Sequence, residues 1–425
     1  MIVTGNPDIT ATNAQHNKGI HMNAIARPAN ETFSADWRTF ESTHRLRKVK
    51  ILADNLETTW DDDRISSYHF LWLRDNCPCP RCVHPGTREQ MFEVVDAPDD
   101  LAAESVSLDA AGTLNVHWSD GHRSVYEAGW LRFHAYDATS RSERADRLRS
   151  VRPWESNLVI PTFDYSCVMS SDPVLLDWLL AARDVGLTML DDMPATDEAV
   201  ENVARRISFI RESNFGITFE VRTKAEAADS NAYTSLELPA HTDLPTRELQ
   251  PGLQFLHCLI NDATGGESTF VDGFAIAAAL RAGSPEDFRL LCEHPVEFWN
   301  KALQSDYRSL APIIGLDSRG EVSEIRLANW LRAPFNLPAS EMGAFYRAYR
   351  HFSALTRDSR FIVSRRLEAG QMWCFDNRRT MHARKAFDQA SGKRFLRGCY
   401  MDRDELLSRI LVLQRGNAHP SIPAA

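Results

Sequence analysis

The hydrophobic pattern of this 425-residue chain changes character near residue 140. Before that point, short aromatic or β-branched runs are broken by Asp-Gly and Ala-Gly turns, as in YHFLWLRDNC, SVSLDA and LNVHWSDGHRSVYEAGWL. This pattern is typical of a small β-rich domain. The charged stretch YDATSRSERADRLRSVRPW then predicts a linker or a covering helix. After it, SDPVLLDWLLAARDVGLTMLDDM has a capping Ser-Asp start and an amphipathic stripe, which predict a helix followed by a strand, and DEAVENVARRISFI predicts a second helix.

Strand-like segments recur through the rest of the chain without regular alternation with helices. They include GLQFLHCLIN, STFVDGF, PVEFWN, RFIVSRRLEAGQMWCFDN and RFLRGCYMD, among which AIAAALRAG and MGAFYRAYRHFSALTRD predict inserted helices. Such a mixture favours a mainly β barrel or jelly roll with α insertions. We expect an N-terminal domain over residues 38–140, a linker over 141–155 and the main domain over 156–425.

Composition narrows the classes of partner. The chain is 43% hydrophobic and 25% charged, which is ordinary for a globular protein with a sizeable core. A net charge of -10 argues against nucleic acid or an anionic membrane as the main partner. No apolar run is long enough to suggest a membrane span. Residues 1–37 are polar and lack the features of a secretory signal, so we expect a disordered lead, or sequence upstream of a start at Met22.

The eight cysteines are unevenly placed. Five are scattered singly, as expected of reduced thiols in a cytoplasmic protein. The other three, Cys77, Cys79 and Cys82, crowd into NCPCPRC, and reduced thiols rarely cluster so tightly without a metal or redox role. A structural zinc needs a fourth ligand, and the candidates are His84, His117, His122 and His134. His122 is preferred, because it follows a Ser-Asp-Gly turn and is free to approach the loop.

A second candidate metal centre lies in LELPAHTDLP, where His241 and Asp243 stand one residue apart between Pro239 and Pro245. Alternating side chains of a strand would point both residues the same way, and the prolines indicate a strand end or an edge strand. His382, in WCFDNRRTMHARKAF, is the candidate third ligand. Two histidines and one carboxylate with open positions are the donor set of non-haem Fe(II) oxygenases. A zinc hydrolase could use the same set, but no motif such as H-E-x-x-H offers a general base.

A candidate anion site accompanies this triad. Arg394 follows His382 by twelve residues across FDQASGK, which predicts a hairpin that places both side chains on neighbouring strands facing one interior. The planar fork of an arginine suits a carboxylate, such as the far end of 2-oxoglutarate. Ser268, in TGGEST, offers a hydroxyl to the same carboxylate.

Long motifs then point to a known family. HTDLP, PGLQFLHC, TGGESTFVDGF, FDNRRTMHARKAF and RFLRGCYMDRDELLSRI, with the N-terminal LWLRDNCPCPRC and WSDGHRSVYEAGWLR, closely resemble the gamma-butyrobetaine dioxygenase family. The resemblance implies a double-stranded β-helix (jelly-roll) catalytic domain, a small zinc-binding N-terminal domain and a homodimer. It implies Fe(II) held by His241, Asp243 and His382, 2-oxoglutarate bound by Arg394, zinc bound by Cys77, Cys79, Cys82 and His122, and ascorbate as a supporting reductant.

The same resemblance implies a substrate site. A trimethylammonium group has no donor hydrogens, so aromatic faces recognise it. By resemblance the aromatic cage would be Phe215, Phe219, Tyr233 and Tyr400, and the substrate carboxylate would meet Asn231 and Asn329. The reaction would be C3 hydroxylation of gamma-butyrobetaine to L-carnitine with O2, giving succinate and CO2. Trimethyllysine or a trimethylammonio phosphonate is the alternative substrate, and a zinc-stabilised binding protein with an inactive barrel is the rival function.

Overall fold

The computed structural model describes residues 40, 42–148, 151–222, 235–302 and 305–416. The lead expected at residues 1–37 lies outside the described residues. The chain divides into two compact units, Met1–Arg141 and Ser142–Ala425. In the described ranges, every helix is too short or too polar to cross a membrane.

The N-terminal unit contains two three-stranded antiparallel sheets, in the orders β1-β2-β3 and β4-β5-β6. Its elements are β1 (Leu46–Ile51), β2 (Asn55–Trp60), β3 (Ile65–His69), α1 (Phe70–Asp75), β4 (Ala103–Leu108), β5 (Leu114–Trp118), β6 (Arg123–Tyr126) and α2 (Ala128–His134). Five of the thirteen described buried core residues of this unit are aromatic, among them Trp60, Tyr68 and Trp118.

One strand expected from sequence is partly a helix. The run YHFLWLRDNC begins in β3, but its middle forms α1. Phe70, Leu73 and Arg74 are the buried residues of α1, and their spacing of three and four positions places them on one face of a helix. A short apolar run supports either structure, so its period alone could not decide between them.

Helices flank the strands of the C-terminal unit. They are α4 (Tyr165–Ser170), α5 (Asp172–Val185), α6 (Ala199–Ile207), α7 (Gly273–Gly283), α8 (Pro285–Glu293), α9 (Ala339–Leu355) and α10 (Arg403–Gly416), and α3 (Ala138–Leu148) spans the division of the chain. Local sequence fixes the ends of α5: the Ser171 side chain accepts a hydrogen bond from the Val174 N–H, and Gly186 at φ 75° ends the helix.

The strands of this unit form two large sheets and three two-stranded sheets in the described ranges. They are β7 (Thr162–Asp164), β8 (Leu187–Asp191), β9 (Phe219–Arg222), β10 (Leu238–His241), β11 (Leu253–Asn261), β12 (Thr264–Gly265), β13 (Ser268–Asp272), β14 (Val296–Ala302), β15 (Ser305–Ala311), β16 (Ile314–Leu316), β17 (Val322–Ile325), β18 (Ile362–Arg365), β19 (Met372–Asp376), β20 (Thr380–Arg384), β21 (Phe387–Asp388) and β22 (Arg394–Met401). One large sheet has the order β7-β8-β19-β11-β22-β9 and the other β10-β20-β13-β18, and the two-stranded sheets are β12-β21, β14-β15 and β16-β17.

The two large sheets pack against each other. Phe270 of β13 contacts Trp373 and Phe375 of β19, with ring centroids 5.0 and 5.5 Å apart. The outer face of the six-stranded sheet is covered by α5, α6 and α10, whose apolar residues form one cluster with it. The two facing sheets are antiparallel except for the parallel β7–β8 pair. With inserted helices they form a double-stranded β-helix, so the expected fold class is confirmed.

Candidate active site

The three expected iron ligands meet at the edge of the four-stranded sheet. β10 is an edge strand, in agreement with Pro239, and its last residue, His241, pairs with His382 of β20. Asp243 lies beyond the end of β10, so the expectation that strand alternation places it beside His241 is wrong. Leu244, at φ 51°, turns the chain there. A turn, not a strand, therefore presents the carboxylate.

The geometry of these three side chains suits one metal ion. Their ligand atoms all lie within 4.8 Å of one another. The Asp243 Oδ1 is 3.2 Å from the His241 Nε2 and 3.8 Å from the His382 Nε2. The His241 Nδ1 lies 2.9 Å from the Pro239 carbonyl, to which it can donate, leaving Nε2 unprotonated for a metal. The donor set fits a ferrous ion with open positions.

Electrostatics favour the protonation states that a metal requires. Burial opposes ionisation of Asp243, but the two histidines and the Tyr400 hydroxyl outweigh it and hold the pKa of the carboxyl well below its usual value. Burial, with repulsion from His241, lowers the pKa of His382 to about 3, so this imidazole is neutral near pH 7. An ionised carboxylate and a neutral imidazole are both competent ligands.

Asn377 clamps the backbone that carries Asp243. Its Oδ1 accepts a hydrogen bond from the Asp243 N–H at 2.6 Å, and its Nδ2 donates to the Asp243 carbonyl at 2.9 Å. The same Nδ2 also donates to the Pro251 carbonyl at 3.2 Å. Asn377 is fully buried in the β19–β20 connection, five residues before His382. The segment that leads to His382 therefore also fixes the backbone of Asp243.

The expected anion site contains two arginines. Arg394 is buried, and burial together with the charge of Arg384 lowers its pKa to about 10. Both guanidinium groups lie over the Phe387 ring, 5.1 Å (Arg384) and 5.6 Å (Arg394) from its centroid. The Arg394 Nε is buried and has no hydrogen-bond partner among the described residues. Adjacent buried cations of this kind fit an anionic ligand.

The expected hairpin between His382 and Arg394 is wrong. β20 and β22 belong to different sheets, and the short β21 between them pairs with β12. The two side chains therefore reach the site from opposite sheets, because a jelly roll alternates consecutive strands between its sheets. Ser268 is buried at the start of β13, where it pairs across the ladder with Arg384.

The structure brings together only part of the expected substrate site. Phe219 stacks on Tyr400, with ring centroids 4.8 Å apart and planes 27° apart. Phe215 lies in the loop before β9 and is 38% exposed. In the described ranges its ring contacts neither Phe219 nor Tyr400. Asn329 is exposed beside Trp330, whose ring lies 4.8 Å from that of His241. Asn231 and Tyr233 lie outside the described residues.

A separate metal-type cluster lies in the N-terminal unit. The Cys77, Cys79 and Cys82 sulfurs are 3.2, 3.5 and 3.6 Å from the His122 Nε2. Zinc bonds of ~2.3 Å to sulfur and ~2.1 Å to nitrogen at tetrahedral angles would separate these atoms by roughly 3.6 Å. Burial raises the pKa of Cys77 to about 12, so a cation is needed to stabilise its thiolate. The cluster fits a zinc ion whose four positions are filled by protein.

Sequence reasoning missed several residues of the active site. Arg384 could have been found, because it is two residues after His382 on one strand and therefore shares its face. Asn377 and Trp330 carried no such signal, because Asn377 contacts Asp243 and Trp330 contacts His241 across segments that are distant in sequence. The hydroxyl of Tyr400 donates to the Asp243 Oδ2 at 2.7 Å, a contact that an aromatic motif does not indicate.

Comparisons with known proteins identify the family of the chain. Residues 147–400 match the "Taurine catabolism dioxygenase TauD, TfdA family", and residues 48–144 match "Gamma-butyrobetaine hydroxylase-like, N-terminal". Gamma-butyrobetaine dioxygenase of Pseudomonas sp. (strain AK-1) is 60% identical over 90% of this chain and 99% of its own length. The human protein of that name is 29% identical over 87% and 97%, and trimethyllysine dioxygenase of Meyerozyma guilliermondii is 29% identical over 88% and 97%. The chain belongs to the TauD, TfdA family of dioxygenases, within its gamma-butyrobetaine dioxygenase branch.

Proposed function

We propose that this protein hydroxylates gamma-butyrobetaine at C3 to give L-carnitine, using 2-oxoglutarate and O2 and releasing succinate and CO2. The observation that carries the proposal is the 60% identity with the Pseudomonas gamma-butyrobetaine dioxygenase, which extends over 99% of that enzyme. Convergence of His241, Asp243 and His382 on one point supports the chemistry.

The residues divide the work of the reaction. Fe(II) held by the triad would supply oxidative decarboxylation of the keto acid coupled to C–H hydroxylation. Arg394 and Arg384 would hold the far carboxylate of 2-oxoglutarate, since an anion offsets the repulsion between two buried cations. The stacked rings of Phe219 and Tyr400 would face the trimethylammonium group.

Selectivity follows from holding the substrate at both ends. A cation fixed by aromatic faces and a carboxylate fixed by polar groups such as Asn329 would present only the middle of the chain to the metal. Phe215, Tyr233, Asn231 and Ser268 stay proposed contacts on the strength of the resemblance. Phenylalanine attracts a cation less strongly than tryptophan, so Phe219 affects affinity more than the class of substrate.

The test is mass spectrometry of products from the purified protein with Fe(II), 2-oxoglutarate, O2 and a panel of trimethylammonium acids. We expect L-carnitine from gamma-butyrobetaine. Asp243→Ala should abolish product and succinate, whereas Asp177→Ala, at an exposed position of α5, should not. Product from trimethyllysine but not from gamma-butyrobetaine would replace the proposed substrate with trimethyllysine. The similarity to the trimethyllysine dioxygenase of Meyerozyma guilliermondii is the observation behind this alternative.

The same assay distinguishes this function from the two rival functions, a zinc hydrolase and a binding protein. A zinc hydrolase would be active after zinc, not iron, is added back to the chelated protein. A binding protein with an inactive barrel would release no succinate even with betaines present.

We further propose a structural zinc ion at Cys77, Cys79, Cys82 and His122, because these four donors match a closed tetrahedral site. A homodimer, a cytoplasmic location and ascorbate as supporting reductant rest on the resemblance and the reduced cysteines. The linker at 141–155 and the domains at 38–140 and 156–425 likewise stay predictions.

A further inference from the structure

Tyr400 takes part in two sets of contacts in the active site. It lies in β22, on the interior face, and is almost fully buried. Its hydroxyl donates a 2.7 Å hydrogen bond to the Asp243 Oδ2. Its ring stacks on Phe219 at 4.8 Å. One side chain thus contacts both an expected metal ligand and the expected wall of the substrate site.

We propose that Tyr400 is a positioning residue for the metal and that it couples occupation of the aromatic site to metal affinity. A carboxylate rotates easily about its last torsion, so it needs a donor to hold one orientation. With Oδ2 bound to Tyr400, Oδ1 is the oxygen that faces the two imidazoles, 3.2 Å from His241 and 3.8 Å from His382. The hydroxyl therefore orients the carboxylate and selects the oxygen offered to the metal.

The coupling follows from the rigidity of the ring. A cation that contacts the Phe219 and Tyr400 rings restrains the Tyr400 ring, and the same ring carries the hydroxyl that orients Asp243. A ligand that favours the oriented carboxylate must raise metal affinity, and the metal must raise affinity for that ligand equally. This step rests on the proposed function, because it takes gamma-butyrobetaine as the occupant.

The experiment compares wild-type protein with Tyr400→Phe, which keeps the ring and removes only the hydroxyl. After chelation of the iron site, Mn(II) is titrated in and free Mn(II) is measured by electron paramagnetic resonance. We expect the variant to bind Mn(II) about 10- to 100-fold more weakly. Tyr346→Phe is the matched control, since Tyr346 lies in α9 with its ring 41% exposed and packed on Phe335, and this variant should bind Mn(II) as wild type does.

A second arm repeats the titration with saturating gamma-butyrobetaine. In wild type, Mn(II) affinity should rise about fivefold or more, and in Tyr400→Phe this rise should disappear. Phe219→Leu, which keeps the hydroxyl, should keep the betaine-free Mn(II) affinity and lose the rise. Phe219→Leu also tests the coupling if Tyr400→Phe does not fold.

The outcomes are separable. Equal Mn(II) affinity in wild type and Tyr400→Phe overturns the positioning role. An unchanged betaine effect in both Tyr400→Phe and Phe219→Leu overturns the coupling. If wild type neither produces L-carnitine nor responds to the betaine, the proposed function and the coupling fail together, but the betaine-free titration still decides the role of the hydroxyl.

Discussion

Replacing Asn377 with alanine should weaken both the fold and the metal centre. The fully buried amide makes three hydrogen bonds, two to the backbone of Asp243 and one to the Pro251 carbonyl. At about 1 kcal/mol each, Asn377→Ala should lower the free energy of unfolding by about 3 kcal/mol. For the unit Ser142–Ala425, with an unfolding entropy of about 2.1 cal/mol/K per residue, that corresponds to a fall of about 5 °C in Tm. With Asp243 less well fixed, Mn(II) should bind at least about tenfold more weakly.

Denaturant unfolding and the Mn(II) titration measure these two effects separately. Asn202→Ala is the matched control, because this asparagine is exposed on α6, and it should stay within about 0.5 kcal/mol of wild type. A loss of stability without a loss of metal affinity would refute the link from Asn377 to Asp243. No loss of either would show that the clamp makes no net contribution.

Three further predictions test other parts of the chain. Arg394→Met and Arg384→Met should each raise the KM for 2-oxoglutarate about 10- to 100-fold and change the KM for gamma-butyrobetaine far less; equal effects on both substrates would contradict the anion site. Cys79→Ser should lower zinc content and the Tm of the N-terminal unit, whereas full zinc content would argue against the cluster. Burial lowers the pKa of His257 to about 4, below the 6.5 of an exposed imidazole, so stability should fall by about 3 kcal/mol as pH falls from about 6.5 to 4. His257→Leu should remove this loss in denaturant unfolding at pH 7 and pH 4.5, and an equal loss in both proteins would contradict it.

The strands and the ligand set were accessible from sequence for a physical reason. Strands of a jelly roll are buried on at least one face, so segments such as GLQFLHCLIN carry strong apolar and β-branched signals. Side chains able to bind a metal are limited to a few residue types, so the sequence could predict that His241, Asp243 and His382 cluster, as they do in the structure. The fold class followed from irregular mixing of strands and helices.

The sequence could not predict in the same way which sheet each strand joins. Local spacing made β20 and β22 look like a hairpin, but which sheet a strand joins depends on contacts with segments far away in sequence. The same holds for the Asn377 clamp, which joins residues 134 positions apart. For α1, the error had a different origin, because six apolar and charged residues fit either period.

The turn after Asp243 shows why the surrounding protein must hold this site. A metal whose coordination is left partly open for a keto acid and O2 has only three protein ligands, so it organises its own surroundings less than a closed zinc site does. Arg326, which is almost fully buried, donates to the Arg247 carbonyl at 2.7 Å and the Glu248 carbonyl at 2.6 Å, fixing the far end of that turn. Asn377 fixes its near end. The short turn that carries the Asp243 carboxylate is thus held at both ends, and this compensates for the position of Asp243 outside the strand.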